Sequence, residues 1–182
     1  MYIRFRSWMA PVVVGVLLAG CGAIPTGLGG GTATPAAVET AAPVAGVAVK
    51  CPAVQIQPDT QGVTRYAGGR EGDAMAVRHQ LSITRTARDC RFVDGTLFLR
   101  VGVAGRIVLG PAGGPGTFSE PVRFVVARGG VEPVYSQTRT VQVSVPSGAT
   151  SAEFDIVDAD IQVQVRADET VNNFQIFVGF DT

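Results

Sequence analysis

The sequence predicts an all-β chain, folded as an antiparallel β-sandwich, and three observations carry that prediction. Beyond Val47, apolar residues recur at alternate positions in run after run; this is the period of a strand with one buried face. The runs end in Gly, Pro, Asn or Asp, the residues that turns require. No stretch after residue 20 repeats at helical spacing, so strands have only other strands to pack against.

Val47, Val49 and Cys51 alternate, Pro52 interrupts, and Val54 and Ile56 resume before Pro58. Proline removes a ladder donor, so this first strand belongs at a sheet edge, with a bulge or a switch at Pro52. Asp59 to Asp73 contains Gly62, Gly68, Gly69 and Gly72 and reads as a long loop with a short extended piece at Val63 to Tyr66. Met75 to Arg85 is a strand with Met75, Val77, His79, Leu81 and Ile83 on one face. Ala87 to Phe92 either continues it or turns at Arg88-Asp89. Asp94-Gly95 is a hairpin signal.

Thr96 to Leu109 follows, with Leu97, Leu99, Val101 and Val103 inward. Gly102 and Gly105 suggest a bulge or bend in it. Gly110 to Gly116 is a loop. Pro121 to Arg128 is a strand with Val122, Phe124 and Val126 on one side, and Gly129-Gly130 turns it. Val134 to Val145 closes at Pro146-Ser147-Gly148. Ala152 to Val157 is expected to break at Asp158-Ala159-Asp160, and Ile161 to Arg166 alternates again. Asn172-Asn173 precedes a last strand in which Phe174, Ile176, Val178 and Phe180 share a face.

Seven to nine short strands are therefore expected. The layout resembles immunoglobulin-like or fibronectin type III-like sandwiches in architecture only, because the single Trp lies at position 8 and no Cys-Trp-Cys arrangement exists. A jelly roll or small barrel satisfies the same pattern. An outer-membrane barrel does not, since the strands are irregular and lack aromatic girdles.

The first residues set the compartment. Arg4 and Arg6 precede an uncharged stretch from Trp8 to Gly20 that ends in small residues. A charged start, a short apolar centre and a small-residue exit form a secretory signal. The stretch is too short to cross a bilayer, which needs about 20 residues. Leu18-Ala19-Gly20-Cys21 resembles the bacterial lipobox. That resemblance implies cleavage before Cys21, a thioether-linked lipid on Cys21 and acylation of the new amino end. Two or more acyl chains hold a protein firmly to a membrane, at about 0.8 kcal/mol per buried CH₂. Gly22, where an Asp would imply retention at the inner membrane, implies the outer membrane.

The organisation expected is a signal over 1–20, a lipidated tether over 21–46 and a sandwich over 47–182. The tether is Gly-, Ala- and Pro-rich with Glu39 as its one charge. A coil of that length spans roughly 25–30 Å.

Charge argues against nucleic acid as a partner. The 15 basic residues include Arg4 and Arg6, so the mature chain has 13 against 15 acidic. There is no basic stripe to neutralise phosphates. Of three cysteines, Cys21 is assigned to lipid, leaving Cys51 and Cys90. In an oxidising compartment an even remainder points to a disulfide. The alternatives, a metal or redox pair, lack C-x-x-C spacing and a second His.

No residue set announces catalysis. His79, the only histidine, falls on an inward strand face and reads as a buried imidazole held by a backbone partner; no G-x-S-x-G accompanies it. Asp155, Asp158 and Asp160, with Glu153, form the densest acidic cluster. They lack the Gly and bidentate Glu of a calcium loop and read as a solvated corner. Gly110 to Gly116 lacks the ending of a phosphate loop. Arg78, Arg88 and Arg91 suggest an outward basic strip. Tyr66, Phe118 and Tyr135 are too scattered for an aromatic platform.

The chain is similar to uncharacterised bacterial envelope lipoproteins of this layout, a family with no activity to transfer. The expectation is a non-catalytic protein-interaction or assembly module without cofactor or metal. It would be held in the cell envelope by lipid on Cys21 and would dock an envelope protein. The alternative is a module that binds a glycan, a peptide or a wall fragment.

Overall fold

The computed structural model describes residues 49–181. The expected signal, Cys21 and the expected tether lie outside the described residues. Within them, eight strands form two four-stranded sheets: β1 (Val54–Ile56), β2 (Gly62–Tyr66), β3 (Val77–Val93), β4 (Thr96–Leu109), β5 (Gly116–Arg128), β6 (Glu132–Val145), β7 (Ser151–Gln164) and β8 (Phe174–Phe180). One sheet has the order β2-β3-β4-β7, the other β1-β8-β5-β6. Every pairing is antiparallel except β1 with β8. The all-β sandwich expected from alternation is what forms.

Alternation places the core. Leu81, Leu97, Val101 and Ile107 come from the first sheet and Val122, Phe124, Val126 and Ile176 from the second; all are fully buried. Each contributes on the order of 1.5–3 kcal/mol against an extended chain, an upper bound. Phe174, Ile176, Val178 and Phe180 are all buried, as their shared parity requires.

Five strands, β3 to β7, are longer than the expected short ones, at 13 to 17 residues. Arg88-Asp89 does not turn the chain, because β3 runs through it and pairs with β4 as far as Val93 and Thr96. Asp158-Ala159-Asp160 does not break β7. Leu99 pairs with Ile161 and Val101 with Asp158, so Ala159 and Asp160 together oppose Arg100 in a bulge. The bulge reverses parity: Phe154 and Asp158 point inward before it, Ile161 and Val163 after it.

A second bulge leaves Thr84 unpaired between Ile83↔Gly105 and Arg85↔Ala104. The bulge expected near Gly105 is therefore in the partner strand. Gly105 has a separate reason to be Gly: a Cβ there would lie 2.3 Å from both Phe154 Cζ and Ser82 O.

Met75 leaves the inward face; it sits in a 3₁₀ turn and is 69% exposed. Its turn is capped by Asp73, which accepts from the Met75 backbone N–H. The first strand is also shorter than expected. Val49 and Cys51 precede the three-residue β1, and Cys51 is bonded to Cys90 of β3 with the Cα atoms 5.6 Å apart. That bond ties the leading segment to the stretch of β3 that β2 does not cover.

Candidate functional site

Among the described residues, three polar side chains are buried in this apolar interior: His79, Glu120 and Asp158. Buried charge is costly unless paired, and each of the three sits in a cluster that links the two sheets. Glu120 shares parity with Val122 and Phe124 on β5, so the strand aims it inward. Arg65 of β2 meets it with Nε at 3.0 Å from Oε1 and a terminal nitrogen on Oε2. His79 of β3 places Nε2 at 3.2 Å from Oε1, with its ring centroid 4.4 Å from that of Phe118.

The partner of His79 is thus a carboxylate from the other sheet, not the expected backbone group. Its Nδ1 is buried without a partner. Burial pushes the Glu120 carboxyl up, but the hydrogen bonds from Arg65 and His79, with the Arg65 charge, outweigh it and hold the pKa below the ordinary value. The same hydrogen bond raises Arg65. A depression of about 330 Å³ opens above the cluster, lined by Tyr66, Glu71 and Arg78 besides the three.

The second cluster corrects the reading of Asp158 as solvated. Its carboxylate is 1% exposed as a residue. It accepts from Tyr135 Oη at 2.7 Å and from Arg139 at 3.0 Å, both on β6. Burial, then the Asp158 hydrogen bond and charge, push the Tyr135 phenol up to about 12. The Asp158 hydrogen bond raises Arg139. Asp155 and Asp160 are exposed, so the three aspartates do not converge. Among the described residues no group of three or more His, Cys, Asp or Glu is placed to hold a metal ion.

The remaining sequence candidates are dispersed. The Thr84 bulge puts Arg88 in phase with Cys90 and Phe92, which pack on the core, while Arg91 stacks over Phe98 at 4.9 Å. Arg78, Arg88 and Arg91 therefore form no common strip. The Gly110 to Gly116 loop uses its N–H groups on β3: Gly110 donates to Arg78 O and Ala112 to Val77 O. Phe118 and Tyr135 are engaged with His79 and Asp158. Cys21 lies outside the described residues.

Edge strands are the other feature of the fold with unpaired backbone groups, and no run of residues marks which strands end a sheet. The sandwich has four edge strands. β1 has 3 residues and β2 has 5, both too short to template much pairing. β7 has 14 residues but is interrupted by its acidic bulge. β6 also has 14, and over Ser136 to Ser144 its only charge is Arg139, which is turned to Asp158 between the sheets. Ser136, Thr138, Thr140, Gln142 and Ser144 line its outward face and are all exposed. Natural edges are usually blunted by charge, proline or brevity; in β6 the one proline, Pro133, is confined to the start.

No family model, no curated protein and no solved structure matches this chain.

Proposed function

We propose that this chain is a lipid-anchored, non-catalytic docking module of the bacterial cell envelope, held at the outer membrane through acylated Cys21, and that it binds an envelope protein by strand addition. The edge position of β6, which pairs with β5 alone among the described residues, is the observation that carries the reading. An extended partner segment gains main-chain hydrogen bonds along such an edge and side-chain contacts at alternate positions. The two ion clusters support it from inside: buried, internally paired charges join the sheets, and the edge is presented on a fixed scaffold.

The anchor is tested by radiolabelled fatty-acid incorporation, which Cys21→Ser should abolish along with membrane retention. The edge is tested by photo-crosslinking in cells. A crosslinker at Thr140 or Gln142 should trap a discrete partner that one at Ser82, outward on β3, does not, and Thr140→Lys should lose it. Equal trapping from all three positions would refute docking at β6.

One observation favours a second reading, a small-ligand module. The depression at the His79–Glu120 cluster brings a partly exposed guanidinium and a buried imidazole to one concave surface. Such convergence of polar groups in a pocket is the usual form of a ligand site.

A further inference from the structure

We infer that the depression at the Arg65–Glu120–His79 cluster binds a small zwitterion, with the ligand carboxylate on Arg65 and Arg78 and its ammonium on Glu71. The inference rests on the small-ligand reading of that surface, adds the chemical class it takes, and is independent of docking at β6.

Arg65 is oriented before any ligand arrives. Its Nε and Nη2 donate to the Glu120 carboxylate. That uses one edge of the guanidinium. The other edge, Nη1 with the outer N–H of Nη2, has no partner among the described residues, and the side chain is 44% exposed. A planar fork pinned on one edge by a buried carboxylate loses little freedom when an oxyanion meets its second edge. The wall behind it is also fixed. His79 is 7% exposed, bonds Glu120 and packs on Phe118. Its Nδ1 is buried with no partner among the described residues, which is uncommon for a polar atom held for packing alone.

Arg78 joins Arg65 through a bulge. Simple alternation sets Arg78 on the opposite side of β3 from His79. The pairing of β2 with β3 steps from Arg65↔His79 to Tyr66↔Val77, so Arg78 has no partner on β2. Bulges re-aim side chains in this way, and Arg78 lines the same depression as His79. Glu71 reaches it from the loop between β2 and β3, beside Gly69 and Gly72, whose φ values of 67° and 82° belong to the left-handed region. The neighbouring Arg70 is turned to Asp73 at 3.4 Å and does not neutralise Glu71.

Charge then selects the ligand. Arg65 and Glu120 balance each other, which leaves Arg78 and Glu71 on one concave surface with no ion pair to each other or to another described residue. A simple anion is repelled by Glu71, and a simple cation by Arg78 and the outer edge of Arg65. A molecule carrying both a carboxylate and an ammonium meets all three. At about 330 Å³ the depression lies at the small end of ligand pockets, which run from about 300 to 1,000 Å³. A free amino acid or a dipeptide has that size and that chemistry.

The test titrates the full chain in non-ionic detergent by ligand-observed NMR with L-alanine, L-alanyl-L-alanine, propionate, ethylamine and inorganic phosphate. At least one of the two zwitterions should saturate, and the singly functional probes should bind about tenfold more weakly or worse. Arg78→Gln and Glu71→Gln should each weaken the zwitterion by about tenfold, the loss of one charge-assisted contact, and Glu71→Gln should bring propionate level with alanine. Both side chains are exposed, so circular dichroism of both variants should match the parent. Thr140→Lys should leave zwitterion binding unchanged. Propionate or phosphate bound by the parent as tightly as the zwitterions would overturn the inference and leave a ligand site standing. Zwitterion binding indifferent to both Arg78→Gln and Glu71→Gln would place the ligand elsewhere and overturn it. No saturable binding of any of the five probes would overturn both the inference and the small-ligand reading.

Discussion

Replacing Glu120 by Gln removes the charge from the inter-sheet cluster while keeping its volume. Two donors of Arg65 and one of His79 reach the carboxylate, which is 4% exposed at the side chain. A hydrogen bond to a charged group contributes about 1.5–3 kcal/mol net. The amide retains one acceptor oxygen, and Arg65, 44% exposed at its side chain, recovers hydration when it loses its partner. The expected loss at neutral pH is about 2 kcal/mol, or roughly 6–10 °C in Tm for a domain of this size.

The pH dependence has a definite sign. The folded carboxyl has a pKa below its unfolded value, so its stabilisation is complete above the unfolded value, near ~4.3 for Glu, and is lost as pH falls through the folded value. The gap between parent and Glu120→Gln is therefore full at neutral pH and closes in acid. Urea unfolding followed by far-UV circular dichroism measures it, because the only Trp, Trp8, precedes the domain. Equal midpoints at neutral pH, or a gap unchanged in acid, would refute the assignment of Glu120 as a charged inter-sheet tie.

Replacing both Cys51 and Cys90 by Ser opens a loop of 39 residues; the chain-entropy relation puts the loss at about 4 kcal/mol, and the urea midpoint should fall to that of the reduced parent. Asp158→Ala should destabilise by about 2–3 kcal/mol, and ultraviolet phenolate titration should show the Tyr135 phenol dropping from about 12 toward the ordinary tyrosine value. Gly105→Ala sets a methyl group against Phe154 and Ser82 O; it should cost about 1–3 kcal/mol. Adding Phe154→Leu should recover only part of the thermal shift, because the carbonyl clash remains.

Parity explains what was legible and what was not. Leu97, Val101, Phe124 and Ile176 could be assigned to the core because alternation is local, and each strand carries its own inward face. The same parity aims Glu120 inward with Val122 and Phe124, and Asp158 inward with Phe154. Glu120 was passed over and Asp158 was read as part of a solvated corner, because a charged side chain on an apolar face is ordinarily a break, and only its partner makes it a tie. Those partners are remote: Arg65 is 55 positions from Glu120, and Tyr135 is 23 from Asp158.

Strand register also escaped a single-chain reading. Thr84 and the Ala159-Asp160 pair each reverse the alternation, because an unpaired residue has meaning only against the strand opposite. The broken arginine strip and the continuous β7 follow from this, whereas Met75 is exposed because the chain there forms a 3₁₀ turn ahead of β3. The order of strands within each sheet, which leaves β6 at an edge, is a property of pairing, and no run of residues records it. Local chemistry in the chain was enough to indicate most strands, their inward faces away from the bulges, and a cysteine pair. Which faces meet, which charges find each other and which edge stays open depend on contacts between residues far apart in sequence, since ladder hydrogen bonds and buried ion pairs gain their energy only when both partners are in place.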